Sequence, residues 1–204
     1  MALFSTAYWA PLSYYQLAAQ SEVVLIEQHE RYQKQSYRNR CTILSANGPL
    51  SLVVPVLRPH ECGIREIRID YSKPWQKVHW RAIEAAYRSS PFFEEYSEDV
   101  YAIYKVAFTF LFDLNTKVWE TSQMLLGVSF PWGLTERFAP PFKKDSLECP
   151  CDDYRYLLHP KAKRKPDEFA FTPYFQVFGH KFGFVPHLSV LDAIFNVGTL
   201  EAVS

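Results

Sequence analysis

Residues 2–26 read ALFSTAYWAPLSYYQLAAQSEVVLI, and this stretch decides the fold. The apolar segment 2–8 favours a short strand, and residues 12–20 repeat their apolar positions at helical spacing. Residues 23–26 form a continuous apolar run rich in β-branched side chains, as in a strand buried on both faces. A strand, a helix and a second strand within so few residues form a βαβ unit, which predicts a parallel sheet.

The rest of the chain predicts a hairpin followed by helices. Residues 41–46 and 50–57 flank Asn47-Gly48, a strong hairpin signal, and three isoleucines between 64 and 69 suggest another short strand. Helices are expected at 75–88, from just after Ser97, at 116–126 and at 188–195. We therefore expect an α/β fold, with an N-terminal parallel strand-helix-strand unit, a β-hairpin and a mainly helical C-terminal half. Residues 1–204 form one domain in this interpretation, with a surface loop or lid at 139–167.

Composition and charge exclude several classes of protein. Lys and Arg number 22 and balance 22 Asp and Glu, so the chain lacks the basic excess that argues for a nucleic-acid partner. Seven scattered glycines leave no G-x-G-x-x-G, Walker or G-x-S-x-G motif. Residues 1–21 are uncharged but too polar to span a membrane, and no basic residue precedes them as in a signal peptide. We expect a cytoplasmic protein without a membrane span; cofactor and oligomeric state stay unknown.

The four cysteines fit a reducing compartment. They lie at 41, 62, 149 and 151, and a chain of this length without an export signal gives no reason to expect disulfides. Cys149, Cys151 and His159 could belong to a zinc site, but the sequence offers no fourth ligand at the usual spacing. We expect ordinary thiols and no metal.

The first candidate site is the basic block 31–40, which reads RYQKQSYRNR directly after the second predicted strand. It carries four positive charges and no negative ones, at the edge where open α/β sheets bind ligands. In this hypothesis Lys34, Arg38, Asn39 and Arg40 hold a phosphate or carboxylate. Stacking would come from Tyr14, Tyr37 and Trp75. The alternative is a solvated basic loop whose charges pair with surface acids.

The second candidate site is the stretch from Asp70 to His79. His79 lies four residues after Trp75, so both side chains share one helical face. His79 would act as general acid or base, oriented by Asp70. The alternative is a helix histidine hydrogen-bonded to a backbone carbonyl. His29, beside two glutamates, is a weaker candidate of the same kind.

The third candidate is a polar pair near the C-terminus. Asp192 and Asn196 stand four residues apart on one side of the predicted closing helix. They would bind a ligand jointly or hydrogen-bond a neighbouring loop, and the second role is the commoner one.

At these residues the chain resembles the WbqC-like family of bacterial proteins over nearly its whole length. Lys34, Ser36, Asn39, Arg40 and Ile43 fit the pattern K-x-S-x-x-N-R-x-x-I, and residues 70–79 fit D-x-S-x-P-W-x-x-x-H. A closing signature runs from residue 182 to residue 198. The chain departs from the family at residues 5–15, which lack the usual histidine, glutamine and glycine, and at Gln28-His29, where an acidic pair is common.

The resemblance implies a role in making O-antigen-like surface polysaccharides, because members of the family sit with genes for such glycans. It implies a transferase acting on a nucleotide-linked or phosphorylated sugar, with acyl or aminoacyl transfer as one reaction. The alternative is a non-catalytic binding or scaffolding module of a polysaccharide-assembly complex.

Overall fold

A computed structural model describes residues 1–57, 62–140, 152–156, 160 and 173–201. The strands in these ranges are β1 (Ala2–Ser5), β2 (Val24–Glu27), β3 (Arg40–Ser45), β4 (Gly48–Val53), β5 (Val56–Leu57), β6 (Arg68–Ile69), β7 (Trp132–Leu134) and β8 (Asp152–Asp153). The helices are α1 (Leu12–Ala19), α2 (Trp75–Tyr87), α3 (Phe93–Lys105), α4 (Leu111–Leu125), α5 (Gly179–Phe182) and α6 (Val190–Val197).

The predicted parallel sheet is confirmed and has four strands in the order β7-β2-β1-β8. β1 pairs with β2 from Ala2 opposite Val24 to Ser5 opposite Glu27, and α1 connects the two strands. All four residues of β1 are buried, as expected for a strand covered on both faces. Because every neighbouring pair is parallel, the carboxyl ends of the four strands meet at one edge.

The predicted hairpin is also confirmed. β3 and β4 pair in antiparallel register from Arg40 opposite Val53 to Ser45 opposite Gly48. Gly48 has a φ of 103°, in the left-handed region that favours glycine. The two residues of the turn are 46–47, one position before the predicted pair, and Gly48 begins β4. The predicted strand 50–57 is divided, because β4 ends at Val53 and β5 pairs with β6 in a separate antiparallel sheet.

The C-terminal half is mainly helical, but two predicted helix starts are wrong. α3 begins at Phe93 rather than after Ser97, and two glutamates in its first turn complement the helix dipole. It ends at Lys105, because Val106 takes an extended conformation. α4 begins at Leu111 rather than at Thr116.

Helix α6 anchors the loop that leaves the carboxyl end of β1. Ser189 caps the helix by accepting a hydrogen bond from the Leu191 amide, and its Oγ donates to the Trp9 carbonyl at 2.9 Å. The Val190 amide donates to the Ala10 carbonyl at 2.8 Å. Trp9 itself is fully buried with a φ of 42°, a strained conformation that surrounding contacts must hold.

A continuous cluster of buried apolar residues joins the sheet to the helices around it. Within the described ranges, no helix combines the length and apolar character needed to cross a membrane. The predicted loop at 139–167 falls largely outside the described residues.

Candidate functional site

Polar and charged side chains collect where the four parallel strands end, and we call this surface the carboxyl edge. It consists of Ser5 and Thr6 at the end of β1, Glu27–Glu30 at the end of β2, Thr135 after β7, and Asp153 and Arg155 at the end of β8. Ligands of open α/β sheets bind at this edge. The basic block therefore begins on the side of the sheet where the sequence predicts a site.

A buried ion pair joins the basic block to the strands. Arg38 Nε donates to Glu30 Oε1 at 2.8 Å, and Arg38 Nη2 pairs with Glu30 Oε2. The same Nη2 donates to Ser5 Oγ at 2.8 Å, while Ser5 Oγ donates to Glu30 Oε2 at 3.0 Å. Arg38 is 2% exposed and Glu30 3%. Glu30 thus compensates much of the charge that Arg38 would otherwise offer to a ligand.

A second carboxylate ties the loops of the edge together. Glu27 is fully buried at the end of β2. Its oxygens accept from the backbone amides of His29 and Ala139, from Thr135 Oγ1, each at 2.8 Å, and from Arg155 Nη1 at 3.4 Å. Arg155 also holds Asp153 through Nε at 2.9 Å and Nη2 at 2.7 Å. Glu27 therefore fixes the loops after β2, β7 and β8 relative to one another.

Tyr14 presents an unsatisfied donor beneath this edge. Two narrow cavities, each enclosing about 10 Å³ or room for about one water molecule, share Ser5, Thr6, Ala7 and Tyr14 in their linings. The Tyr14 Oη is buried and makes no hydrogen bond among the described residues. Burial, together with the nearby Glu30 carboxylate, raises the pKa of Tyr14 well above its usual value of 10. A neutral hydroxyl in this position needs an acceptor, which a ligand oxygen would supply.

A wider cavity opens beside the ion pair and encloses about 260 Å³. It is lined by His29, Glu30, Arg31, Gln33, Phe138 and Tyr156. These residues come from the loops after β2, β7 and β8, so this wider cavity belongs to the carboxyl edge.

The structure separates the residues predicted from the basic block. Tyr37 and Arg38 line one of the narrow cavities together with Tyr14, and burial raises the pKa of Tyr37 to about 12. Lys34 is exposed, and Asn39 is buried with its Nδ2 donating to the Val54 carbonyl at 2.9 Å. Arg40 starts β3 with a buried Nε that has no partner among the described residues. Lys34, Asn39 and Arg40 line none of these three cavities.

His79 lies in the interior rather than at the carboxyl edge, and it is 4% exposed. Its Nδ1 is 3.0 Å from Tyr8 Oη, which in turn lies 2.8 Å from Tyr104 Oη. Trp75 packs edge-on against the imidazole at 5.1 Å, so the predicted shared face is confirmed. Burial lowers the pKa of His79 to about 4, which keeps the ring neutral at pH 7.

The expected pairing of Asp70 with His79 does not form. Asp70 Oδ1 accepts from the Ser72 amide at 2.8 Å, just before α2. That turn-forming contact lowers the pKa of Asp70. It also explains why an aspartate stands at this position without any role in proton transfer.

Asp192 and Asn196 are held by internal hydrogen bonds. The Asp192 carboxylate accepts from Tyr87 Oη at 3.0 Å and from Tyr174 Oη and Gln176 Nε2 at 2.8 Å. Asn196 Nδ2 donates to the Asp192 carbonyl at 2.8 Å. Burial raises the pKa of Asp192 to about 6. Through these contacts Asp192 and Asn196 connect α6 to α2 and to the segment before α5.

Several residues of the carboxyl edge were not predicted from the sequence. They are Ser5, Glu27, Glu30, Thr135 and Arg155. Glu27 and Glu30 carried a usable signal, because they follow the buried strand β2 directly. Thr135 and Arg155 could not be predicted in this way, because the strands that precede them are only three and two residues long. Among the described residues, no group of three or more His, Cys, Asp or Glu is placed to hold a metal ion. Cys149, Cys151 and His159 lie outside those residues.

Comparisons with other proteins identify a family. The model of a family described as WbqC-like protein family matches residues 7–203. A protein of Mycobacterium tuberculosis described as uncharacterized protein Rv1507c is 30% identical over 214 residues, covering 91% of this chain and 88% of that protein. No solved structure matches the chain.

Proposed function

The chain belongs to the WbqC-like protein family, and from this premise we propose that it is a transferase of bacterial surface-polysaccharide biosynthesis. It acts in the cytoplasm on a nucleotide-linked or phosphorylated sugar, which it binds at the carboxyl edge. The reaction in this proposal is the transfer of an acyl or aminoacyl group to the sugar.

The buried hydroxyl of Tyr14 is the observation that carries the proposal. It is a neutral donor without a described partner, in a cavity that Arg38 also lines. The hydrogen bonds of Arg38 to described residues use Nε and Nη2. Nη1 is therefore available to a phosphate or carboxylate oxygen that Tyr14 would also bind. Buried donors are normally satisfied, and an acceptor on the substrate would satisfy these.

The remaining predicted residues take other roles in this proposal. Lys34 and Arg40 line none of these three cavities, so in this proposal they add positive potential for an anionic substrate without contacting it. His79 and Asp192 stabilise the interior, since their hydrogen bonds are made within the protein.

Replacing Tyr14 with Phe tests the proposal. The change removes only the unpartnered hydroxyl, so the free energy of unfolding should stay the same or rise by about 1 kcal/mol. The dissociation constant for the nucleotide sugar should rise about threefold to tenfold, the effect of one lost hydrogen bond. Titration calorimetry with UDP-N-acetylglucosamine, dTDP-glucose and GDP-mannose measures the affinity, and thermal or urea unfolding measures the stability.

Tyr101→Phe is the matched control, because Tyr101 is exposed on α3 away from these cavities. An unchanged affinity in Tyr14→Phe, with the wild type binding, would remove Tyr14 from the site. Binding without transfer from an activated acyl or aminoacyl donor would favour the non-catalytic binding module instead.

A further inference from the structure

The cavity of about 260 Å³ at the carboxyl edge has the size of a single ring. Pockets for drug-sized ligands usually enclose about 300–1,000 Å³, so this cavity suits one monosaccharide or one base rather than a whole nucleotide sugar. It lies beside the narrow cavities, because Glu30 lines the wide cavity and its partner Arg38 lines a narrow one. The Arg38–Glu30 ion pair therefore lies between the wide cavity and that narrow one.

The lining of the wide cavity combines aromatic faces with planar polar groups. Phe138 and Tyr156 are each 46% exposed, unlike most aromatic side chains of this protein. Gln33 and Arg31 add hydrogen-bonding groups of both donor and acceptor type. A pyranose ring matches this lining, since its C–H face packs on aromatic rings and its hydroxyls bond to planar amide, guanidinium and carboxylate groups.

His29 lines this cavity, and one of its ring nitrogens contacts the protein backbone. Its Nε2 lies 3.1 Å from the Thr135 carbonyl oxygen. A carbonyl oxygen can only accept, so Nε2 carries the proton and the lone pair of the neutral ring lies on Nδ1. Thr135 is itself fixed, because its Oγ1 donates to Glu27. His29 Nδ1 has no hydrogen bond to the described residues, so it can accept one from a sugar hydroxyl.

We propose that this cavity is the pyranose subsite of the substrate, with the sugar ring packed on Phe138 and Tyr156 and one sugar hydroxyl donating to His29 Nδ1. The inference rests on the proposed function and names the part of the substrate that each part of the edge binds. The phosphates then lie toward Tyr14 and Arg38.

The test compares each nucleotide sugar with its own nucleoside diphosphate, so that the ratio of the two affinities isolates the sugar. Titration calorimetry uses UDP-N-acetylglucosamine with UDP, dTDP-glucose with dTDP, and GDP-mannose with GDP. We expect the wild type to bind one nucleotide sugar about tenfold more tightly than the matching nucleoside diphosphate. One packed ring and one hydrogen bond commonly give a ratio of this size. Tyr156→Ala and His29→Gln should bring that ratio close to one while leaving the affinity for the nucleoside diphosphate unchanged.

His29→Gln is chosen because the glutamine amide can still donate to the Thr135 carbonyl, so the loop keeps its anchor while the acceptor at Nδ1 is lost. Phe175→Ala is the control for Tyr156→Ala, since Phe175 is 59% exposed and lines none of these cavities. Circular dichroism and melting temperature establish that each variant is folded.

The outcomes separate the subsite from the proposed function. If nucleotide sugars bind and the ratio survives in both variants, the pyranose subsite is wrong and the proposed function stands. If the variants weaken the nucleoside diphosphate equally, the cavity holds the base, which also overturns the pyranose assignment. If the wild type binds none of the six probes, the proposed function fails and the subsite fails with it.

Discussion

At the scale of single residues, charges that are neighbours in sequence separate in the fold. The basic block follows the carboxyl end of β2, as the recognisable buried strand before it predicts. It does not predict that Arg38 turns inward onto Glu30, since eight residues of irregular chain give no periodic signal. Lys34, four residues earlier in the block, stays exposed. A charge count therefore overestimates the free charge that the basic block carries.

For His79, too, the sequence predicts a local contact but not the residues that come from distant parts of the chain. Its spacing from Trp75 predicts the contact that the rings make. The spacing cannot show that Tyr8, 71 residues away, closes over the imidazole and excludes water.

His79→Gln should remove an acid sensitivity of the fold. The pKa of His79 is lowered to about 4 by burial, below the 6.5 of an exposed histidine. Its stabilising contribution is therefore complete above pH 6.5 and is lost as the pH falls toward 4. Urea unfolding from pH 7 to pH 4 should show the difference between wild type and variant shrink by about 3 kcal/mol.

The comparison must be between the two proteins, because Asp192 acts in the opposite direction. Its pKa is raised to about 6 by burial, so its contribution is complete below the unfolded value and lost as the pH rises through 6. Asp192 is common to both proteins and cancels in the difference. A difference that stays constant from pH 7 to pH 4 would show that His79 titrates normally.

At the scale of elements, strong local patterns were predictable and short strands were not. β1, α1, β2 and the β3–β4 hairpin follow from apolar runs and one Asn-Gly turn. β7 and β8 exist only because a parallel neighbour offers hydrogen-bonding groups, so three and two residues suffice there. The part of the carboxyl edge that they supply could not be predicted from the sequence.

Ser189→Ala should weaken the junction between α6 and the loop after β1. Ser189 Oγ caps α6 and donates to the Trp9 carbonyl, so the variant loses the cap and leaves that carbonyl without this donor. We expect the free energy of unfolding to fall by about 2 kcal/mol in urea titrations. Ser51→Ala, at an exposed position of β4, should change it by less than about 0.5 kcal/mol. Equal effects of the two substitutions would contradict the anchoring role.

At the scale of the whole molecule, acidic and basic residues are equal in number, and charges of both signs meet at the carboxyl edge. Its described ion pairs bring three carboxylates, from Glu27, Glu30 and Asp153, against the guanidinium groups of Arg38 and Arg155. A surface of mixed sign with small cavities suits a compact polar ligand better than a long polyanion. The balanced composition therefore agrees with a small-molecule substrate.

A crystal structure of the protein with its tightest-binding nucleotide sugar would show whether the substrate binds at the carboxyl edge. We predict the ligand at the carboxyl edge, with a phosphate oxygen within 3.2 Å or so of Tyr14 Oη and the sugar ring against Tyr156. A ligand bound on the far side of the sheet, or in the interior beside His79, would contradict the account.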